Sequence, residues 1–149
     1  LLAEVQGLVS PTAFGNPRRM STGFDNNRLS LLLAVLEKRA GYFFSNLDAY
    51  LNVVGGLRRD EPAADLPVAL ALVSSLKDKP VDEGVVAFGE VGLAGEIRAA
   101  ANAEARVAEA ARLGFTRILV PRQNLRGLSS PSGIEVVGVG TLREAYEQL

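Results

Sequence analysis

The densest group of chemically capable side chains is the run Arg58-Arg59-Asp60-Glu61-Pro62-Ala63-Ala64-Asp65, with two guanidiniums and three carboxylates in eight residues. Asp60, Glu61 and Asp65 offer hard oxygens for magnesium or a carboxyl pair for acid–base work. The structural reading is stronger: carboxylates at a helix start favour the helix dipole and offset neighbouring arginines. The residue that opens the helix behind them is only an alanine, Ala63. Ser75 and Lys79 are spaced like a Ser-Lys dyad, but Lys79 adjoins the helix-ending Pro80. Ser74 and Ser75 fall in an apolar helix, where hydroxyls usually bond back to the carbonyl four residues earlier. Gly89, Gly92 and Gly95 invite a phosphate-loop reading. The Gly-Lys-Ser/Thr ending is absent and the spacing is not G-x-G-x-x-G, which leaves a plain β-turn. Arg18, Arg19, Arg58, Arg59, Arg98, Arg117, Arg122 and Arg126 all fall at loops or element ends. They suit a phosphate-tracking face and surface or subunit salt bridges equally well.

Composition removes most other chemistry. The 149 residues contain no Cys and no His, which excludes a disulfide framework, a thiolate nucleophile, a cysteine zinc site and a Ser-His-Asp triad. Hydrolysis would have to use Ser or Thr activated by Lys, or paired carboxylates, and Lys is confined to positions 38, 77 and 79. Thirteen of the sixteen basic residues are Arg, the side chain that forks onto phosphates and carboxylates. The net charge of −1 gives no global pull toward nucleic acid or membrane, so DNA binding requires positive charge sorted onto one face. With 48% apolar residues, no run long enough to cross a bilayer and no export signal, the expectation is one soluble, cytoplasmic α/β domain over residues 1–149. A start at Leu1, with Met20 as the single methionine, points to a piece of a longer protein.

The elements that would position these residues are readable from periodicity. Residues 1–9 alternate as a half-buried strand, and residues 18–22 suggest a returning strand of a meander or long hairpin that leaves Arg18 and Arg19 exposed. Asp25 or Asn26 caps a helix whose Leu29, Leu32, Leu33 and Leu36 share one face, with Lys38 and Arg39 in the last turn and Gly41 as terminator. Residues 48–54 alternate again. Pro62, behind Asp60 or Glu61 as cap, starts a helix to about Leu76 that is apolar nearly all round and so central to the core. Residues 85–91 form a strand followed by a tight glycine turn and a short strand near Ile97. Residues 99–113 form an Ala-rich helix with Val107, Ala103, Ala110 and Ala111 inward and Glu104, Arg106, Glu109 and Arg112 outward. Strands at 116–120 and 134–139 follow, and Thr141 and Glu144 form a capping box on the last helix. The expectation is a mixed sheet with about four helices.

Several stretches carry a specific resemblance: Val9-Ser10-Pro11-Thr12, Asn27-Arg28-Leu29, residues 33–41, Asn52-Val53-Val54-Gly55-Gly56, residues 60–66 and residues 88–98. Together the chain resembles the C-terminal Lon-protease-like domain of the bacterial RadA (Sms) family of DNA repair proteins. The resemblance implies a Lon proteolytic-domain-like fold of the ribosomal protein S5 domain 2-like type, assembled as a homo-hexameric ring. It also implies a longer parent with a zinc-binding segment and an ATPase core, so that ATP, Mg and Zn belong to segments outside this chain. The parent would be an ATP-dependent DNA helicase promoting branch migration with RecA. Active Lon domains carry a nucleophilic Ser where Ala63 stands and a Lys at or next to Glu104, so neither half of that dyad is present. The resemblance implies no catalytic residue and no metal here. Arg18, Arg19, Arg58, Arg59, Arg98 and Arg122 are the candidates for DNA contact, chosen for their positions in loops and at element ends. An active peptidase using another Ser and a pure oligomerisation module are the alternatives.

Overall fold

The computed structural model describes residues 2–55 and 60–149. Strands β1 (Ala3–Pro11), β2 (Arg19–Thr22) and β3 (Leu47–Gly55) form one sheet in the order β1-β3-β2. β1 runs antiparallel to β3 with Ala3 opposite Gly55, and β2 runs parallel to β3 with Arg19 opposite Ala49. The expected hairpin of β1 and β2 is therefore corrected: the two strands are split, and β3 inserts between them. A gap of two strand spacings, about 10 Å, is readily spanned by the seven-residue loop 12–18. Helix α1 (Asn26–Ala40) covers this sheet. The Asp25 carboxylate accepts from the Arg28 N–H at 3.0 Å, and Gly41 takes the left-handed conformation at φ 80° that terminates the helix. Leu29, Leu32, Leu33 and Leu36 are all buried, as their spacing predicts.

The corner after β3 begins with a 3-10 turn, Pro62–Ala64, whose N-terminal Glu61 accepts from the Ala63 N–H, and continues as α2 (Asp65–Leu76). Leu66, Val68, Ala69, Leu70, Leu72 and Val73 are buried on several sides, so α2 is the central helix. It lies close on β1: a Cβ at Gly7 would sit 3.3 Å from the Ala71 backbone, which explains a glycine inside a strand. The two serines depart from expectation. Ser75 Oγ accepts from the Val9 N–H at 2.9 Å and Ser74 Oγ donates to the Lys79 carbonyl at 2.6 Å. The outward amide of edge strand β1 needs a partner, and Ser75 supplies it instead of bonding back along its own helix.

The 85–91 stretch is also not one strand. β4 (Val85–Ala87) joins β7 (Arg117–Pro121) and β8 (Glu135–Val139) in a parallel sheet ordered β4-β7-β8. β5 (Glu90–Val91) pairs separately and antiparallel with β6 (Ile97–Arg98). Gly89 makes the break: it has φ 156°, and a Cβ there would approach Ile97 Cγ2 to 2.8 Å. The sheet structure is thus three small sheets among the described residues. The parallel sheet separates two clusters of side chains. Leu119 and Val139 join the large core under α1 and α2, while Phe88, Ile118 and Val120 face α3 (Ala103–Arg112) with Val107 and Ala110. Helix α4 (Leu142–Glu147) starts from Thr141, whose hydroxyl accepts the Glu144 N–H at 3.1 Å. These four helices with mixed and parallel sheets make an α/β protein.

Candidate functional site

At the Pro62 corner, Ala63 is buried, and the turn is stitched to the glycine loop. The Gly89 N–H donates to the Ala63 carbonyl and the Leu66 N–H to the Gly89 carbonyl, both at 3.0 Å. Beside it, Arg106 pairs with Glu61 at 3.1 Å and stacks its guanidinium 5.6 Å from the Phe88 ring centroid. Arg106 was expected to point outward; its position one turn before the buried Ala110 turns it to the corner. Glu104 is exposed and accepts from the Ser129 hydroxyl at 2.7 Å. The corner presents a methyl group from Ala63 and the Glu61–Arg106 pair, with no hydroxyl or lysine amine from these residues.

Asp65, fully buried, is the anchor behind the corner. Its two oxygens take both the Nε and Nη2 donors of Arg28, and Oδ2 also accepts from the Val91 N–H at 3.0 Å. The hydrogen bond to Asp65 raises the Arg28 guanidinium above its already high ordinary value. This pair was missed as a unit. A signal existed: an arginine in the first turn of α1 opposes the helix dipole, and a carboxylate opening an all-apolar helix requires a buried partner.

The second site is a cleft of about 1060 Å³ that gathers Arg98, Arg122 and Arg126 with Gln123, Glu90 and Glu96. Local chain geometry builds it. The Asn124 side chain clamps Ala100 by accepting its N–H at 2.9 Å and donating to its carbonyl at 3.2 Å, which ties the 3-10 turn Arg122–Leu125 to the end of β6. The Ile97 N–H bonds the Gly140 carbonyl at 2.9 Å, fixing the β5-β6 ribbon to the start of α4. A Cβ at Gly140 would lie 2.9 Å from Arg122 Nη1, so glycine there makes room for the guanidinium. Arg98 is exposed and meets Glu96 at 3.3 Å; Arg122 is exposed and pairs with Glu144. Arg126 is exposed, lines the cleft and makes no ion pair among the described residues.

Glu96 is held below the usual carboxylate range, chiefly by its own backbone N–H, then by the Ala94 N–H and Arg98. The amides of Gly92, Ala94 and Gly95 are consumed in this turn, by Glu96 and by Gly92. The glycine loop is therefore the plain turn its spacing suggests, and these three amides are not free for a phosphate.

Of the six predicted arginines, the structure brings Arg98 and Arg122 into one cleft, and Arg126 joins them there. Arg18 and Arg19 lie apart, on the first sheet. Arg18 is exposed, with its N–H bonded to Asp48 at 2.7 Å, while Arg19 is half-buried with Nη2 on the Phe44 carbonyl at 2.9 Å. Arg19 was expected to be exposed, but its strand pairs with β3 and lays the side chain against the α1–β3 connection. Arg58 and Arg59 lie outside the described residues. Among the described residues, no three acidic groups converge as a metal site, and no helix is long and apolar enough to cross a membrane.

The carboxylates that anchor these loops predict acid sensitivity. Asp48 is lowered chiefly by the Arg18 N–H, Glu37 by the Ser45 hydroxyl and Glu96 as above. A depressed folded pKa means the contribution is complete above the ordinary carboxylate values and is lost as pH falls through the depressed ones. The thermal midpoint is expected to be level above about pH 5 and to fall below about pH 4. A midpoint that rose on acidification would contradict this.

The chain belongs to the family described as subunit ChlI of Mg-chelatase, whose model matches residues 21–124. The matched stretch contains no Gly-Lys-Ser/Thr phosphate loop, no His and no Cys, so its residues do not fit a nucleotide-binding P-loop or a zinc site. Over nearly its whole length, the chain is similar to proteins named DNA repair protein RadA. It is 53% identical to that of Halalkalibacterium halodurans over 147 residues, 99% of this chain and 32% of the relative. To that of Bacillus subtilis it is 54% identical over 145 residues, 97% and 32%. To that of Streptococcus pneumoniae it is 53% identical over 149 residues, 100% and 36%. The chain thus spans about a third of the length of these curated relatives.

Proposed function

We propose that this chain is a non-proteolytic scaffold and DNA-binding domain of a bacterial DNA repair protein of the RadA kind. The observation that carries the reading is the convergence of Arg98, Arg122 and Arg126 on one open cleft, in a chain more than half identical to RadA proteins. Forked guanidiniums with an open approach suit a phosphodiester backbone. In this reading the fold is of the Lon proteolytic type, with its catalytic positions at Ala63 and Glu104 vacated. ATP, Mg and Zn act in segments of the parent outside this chain, and the parent is a cytoplasmic, nucleoid-associated hexameric helicase that promotes branch migration with RecA. Ring assembly has its own support on the first sheet. Leu8, Tyr50 and Met20 sit side by side across β1, β3 and β2, with Leu8 58% and Met20 55% exposed. Such an apolar row suits contact with a neighbouring subunit.

The test is a salt titration of single-stranded and duplex DNA binding. Log K is expected to fall linearly with log salt, with a slope of about −0.9 per duplex phosphate neutralised and about −0.7 for a single strand. No binding at low salt sinks the DNA half of the proposal. Mass measurement of the chain tests the ring.

A further inference from the structure

A second cleft, of about 700 Å³, runs past Ala63 between α2, α3 and the free edge of β4. Val5, Ala63, Pro67, Leu70, Val86 and Phe88 give it an apolar lining. β4 pairs only with β7 among the described residues. Gly84 and Phe88 point their backbone groups to that neighbour, since the Thr116 N–H reaches the Gly84 carbonyl at 2.9 Å and the Phe88 N–H reaches Leu119 at 3.1 Å. Backbone direction alternates along a strand, so Val85, Ala87 and Gly89 face the opposite side. There Gly89 is covered by Ala63 and Leu66, and the Val85 N–H is closed onto the Asp82 carbonyl at 3.1 Å. The Val85 carbonyl and the N–H and C=O of Ala87 remain, one donor between two acceptors, without partners among the described residues.

The rim of this cleft is acidic. Among the described residues, Glu4, Glu61, Asp82, Glu83 and Glu109 line it with one arginine, Arg106, which already pairs with Glu61. An exposed strand edge is a template for another strand. Here a neighbouring apolar lining would take alternate side chains, and the carboxylates would meet basic residues between them.

We propose that this cleft captures an extended, basic segment of a partner polypeptide, which adds as a strand to the free edge of β4. Main-chain pairing to Val85 and Ala87 supplies affinity, and the lining and rim supply selection. Ala63 borders the captured segment with a methyl group, so the peptide is held without being cut.

The probe is acetyl-Arg-Val-Arg-Ile-Arg-Val-amide, compared with its counterpart in which each Arg is Glu, titrated into the 15N-labelled chain. The basic peptide is expected to bind at least about tenfold more tightly, to slow hydrogen exchange at the Ala87 amide and to be recovered intact. Ala87→Pro removes that donor on the side away from β7, where an edge strand tolerates proline, and is expected to weaken binding about tenfold. The double variant Glu4→Lys with Glu83→Lys changes only exposed side chains and is expected to reverse the preference between the peptides. Equal affinity for both peptides, or binding of the basic one with Ala87 exchange unchanged, overturns the proposal. Concentration-dependent self-association that protects Ala87, with no peptide bound, assigns the edge to a second copy and overturns it too.

Discussion

Replacing Arg28 with alanine is expected to destabilise the protein by about 3–5 kcal/mol, because it strands a buried carboxylate. Asp65 is fully buried, and its acceptors are filled by both forks of Arg28 and the Val91 N–H. Removing the guanidinium leaves one amide to face a full charge in the core, and the group must either be protonated or draw in water. The thermal midpoint is expected to fall by on the order of 10 °C, read by circular dichroism. Arg28→Lys is expected to recover only part of this, since an ammonium lacks the planar two-donor fork. A loss below about 1 kcal/mol would place the pair among weak surface bridges. The effect reaches the arginine cleft, because Val91 ends β5, the partner of the strand that carries Arg98. Faster hydrogen exchange at residues 90–98 is therefore expected in Arg28→Ala before global unfolding.

Neutralising Arg98, Arg122 and Arg126 together is expected to reduce DNA affinity on the order of a hundredfold at low salt. A charge-assisted contact contributes about 1.5–3 kcal/mol, but Arg98 and Arg122 exchange existing carboxylate partners for a phosphate, which lowers their net gain. Arg126 has no such partner among the described residues and is expected to carry the largest single effect. The salt slope is expected to become shallower by about 2–3 in the triple variant. Stability should change little, since all three side chains are exposed. An Arg18→Ala control, on the first sheet, should leave the slope unchanged if the cleft is the site; a larger loss there moves the DNA to the other face.

Much of the local architecture was legible because it follows from short-range physics. The Asp25 cap, the leucine face of α1, its Gly41 terminator and the all-round apolar α2 each depend on residues within one or two turns. The bond from Glu144 to Thr141 is equally local. The break at Gly89 was not legible, since Val85 through Val91 has the composition of a continuous strand. It takes the approach of Ile97 and the corner at Ala63 to turn the chain there. The split of β1 from β2 was hidden for the same reason: alternation marks a strand but not its neighbour. The resemblance to RadA agrees with the names of the similar proteins, while membership of the ChlI family was not among the readings the motifs suggested.

The sequence by itself determined which side chains these 149 residues offer for chemistry and where most of the elements lie. Absence of Cys and His, an alanine behind Pro62 and a surplus of arginine over lysine are properties of the residues and need no fold. Only the tertiary structure decided which arginines act together. Arg28 is drawn inward because a buried Asp65 attracts it across 37 positions, and Arg19 is turned onto a backbone carbonyl. Arg98, Arg122 and Arg126 meet because Asn124 and Gly140 bring two distant segments side by side. A charge has the same identity wherever it stands in the chain, but its effect depends on solvent and partner, and long-range packing assigns both.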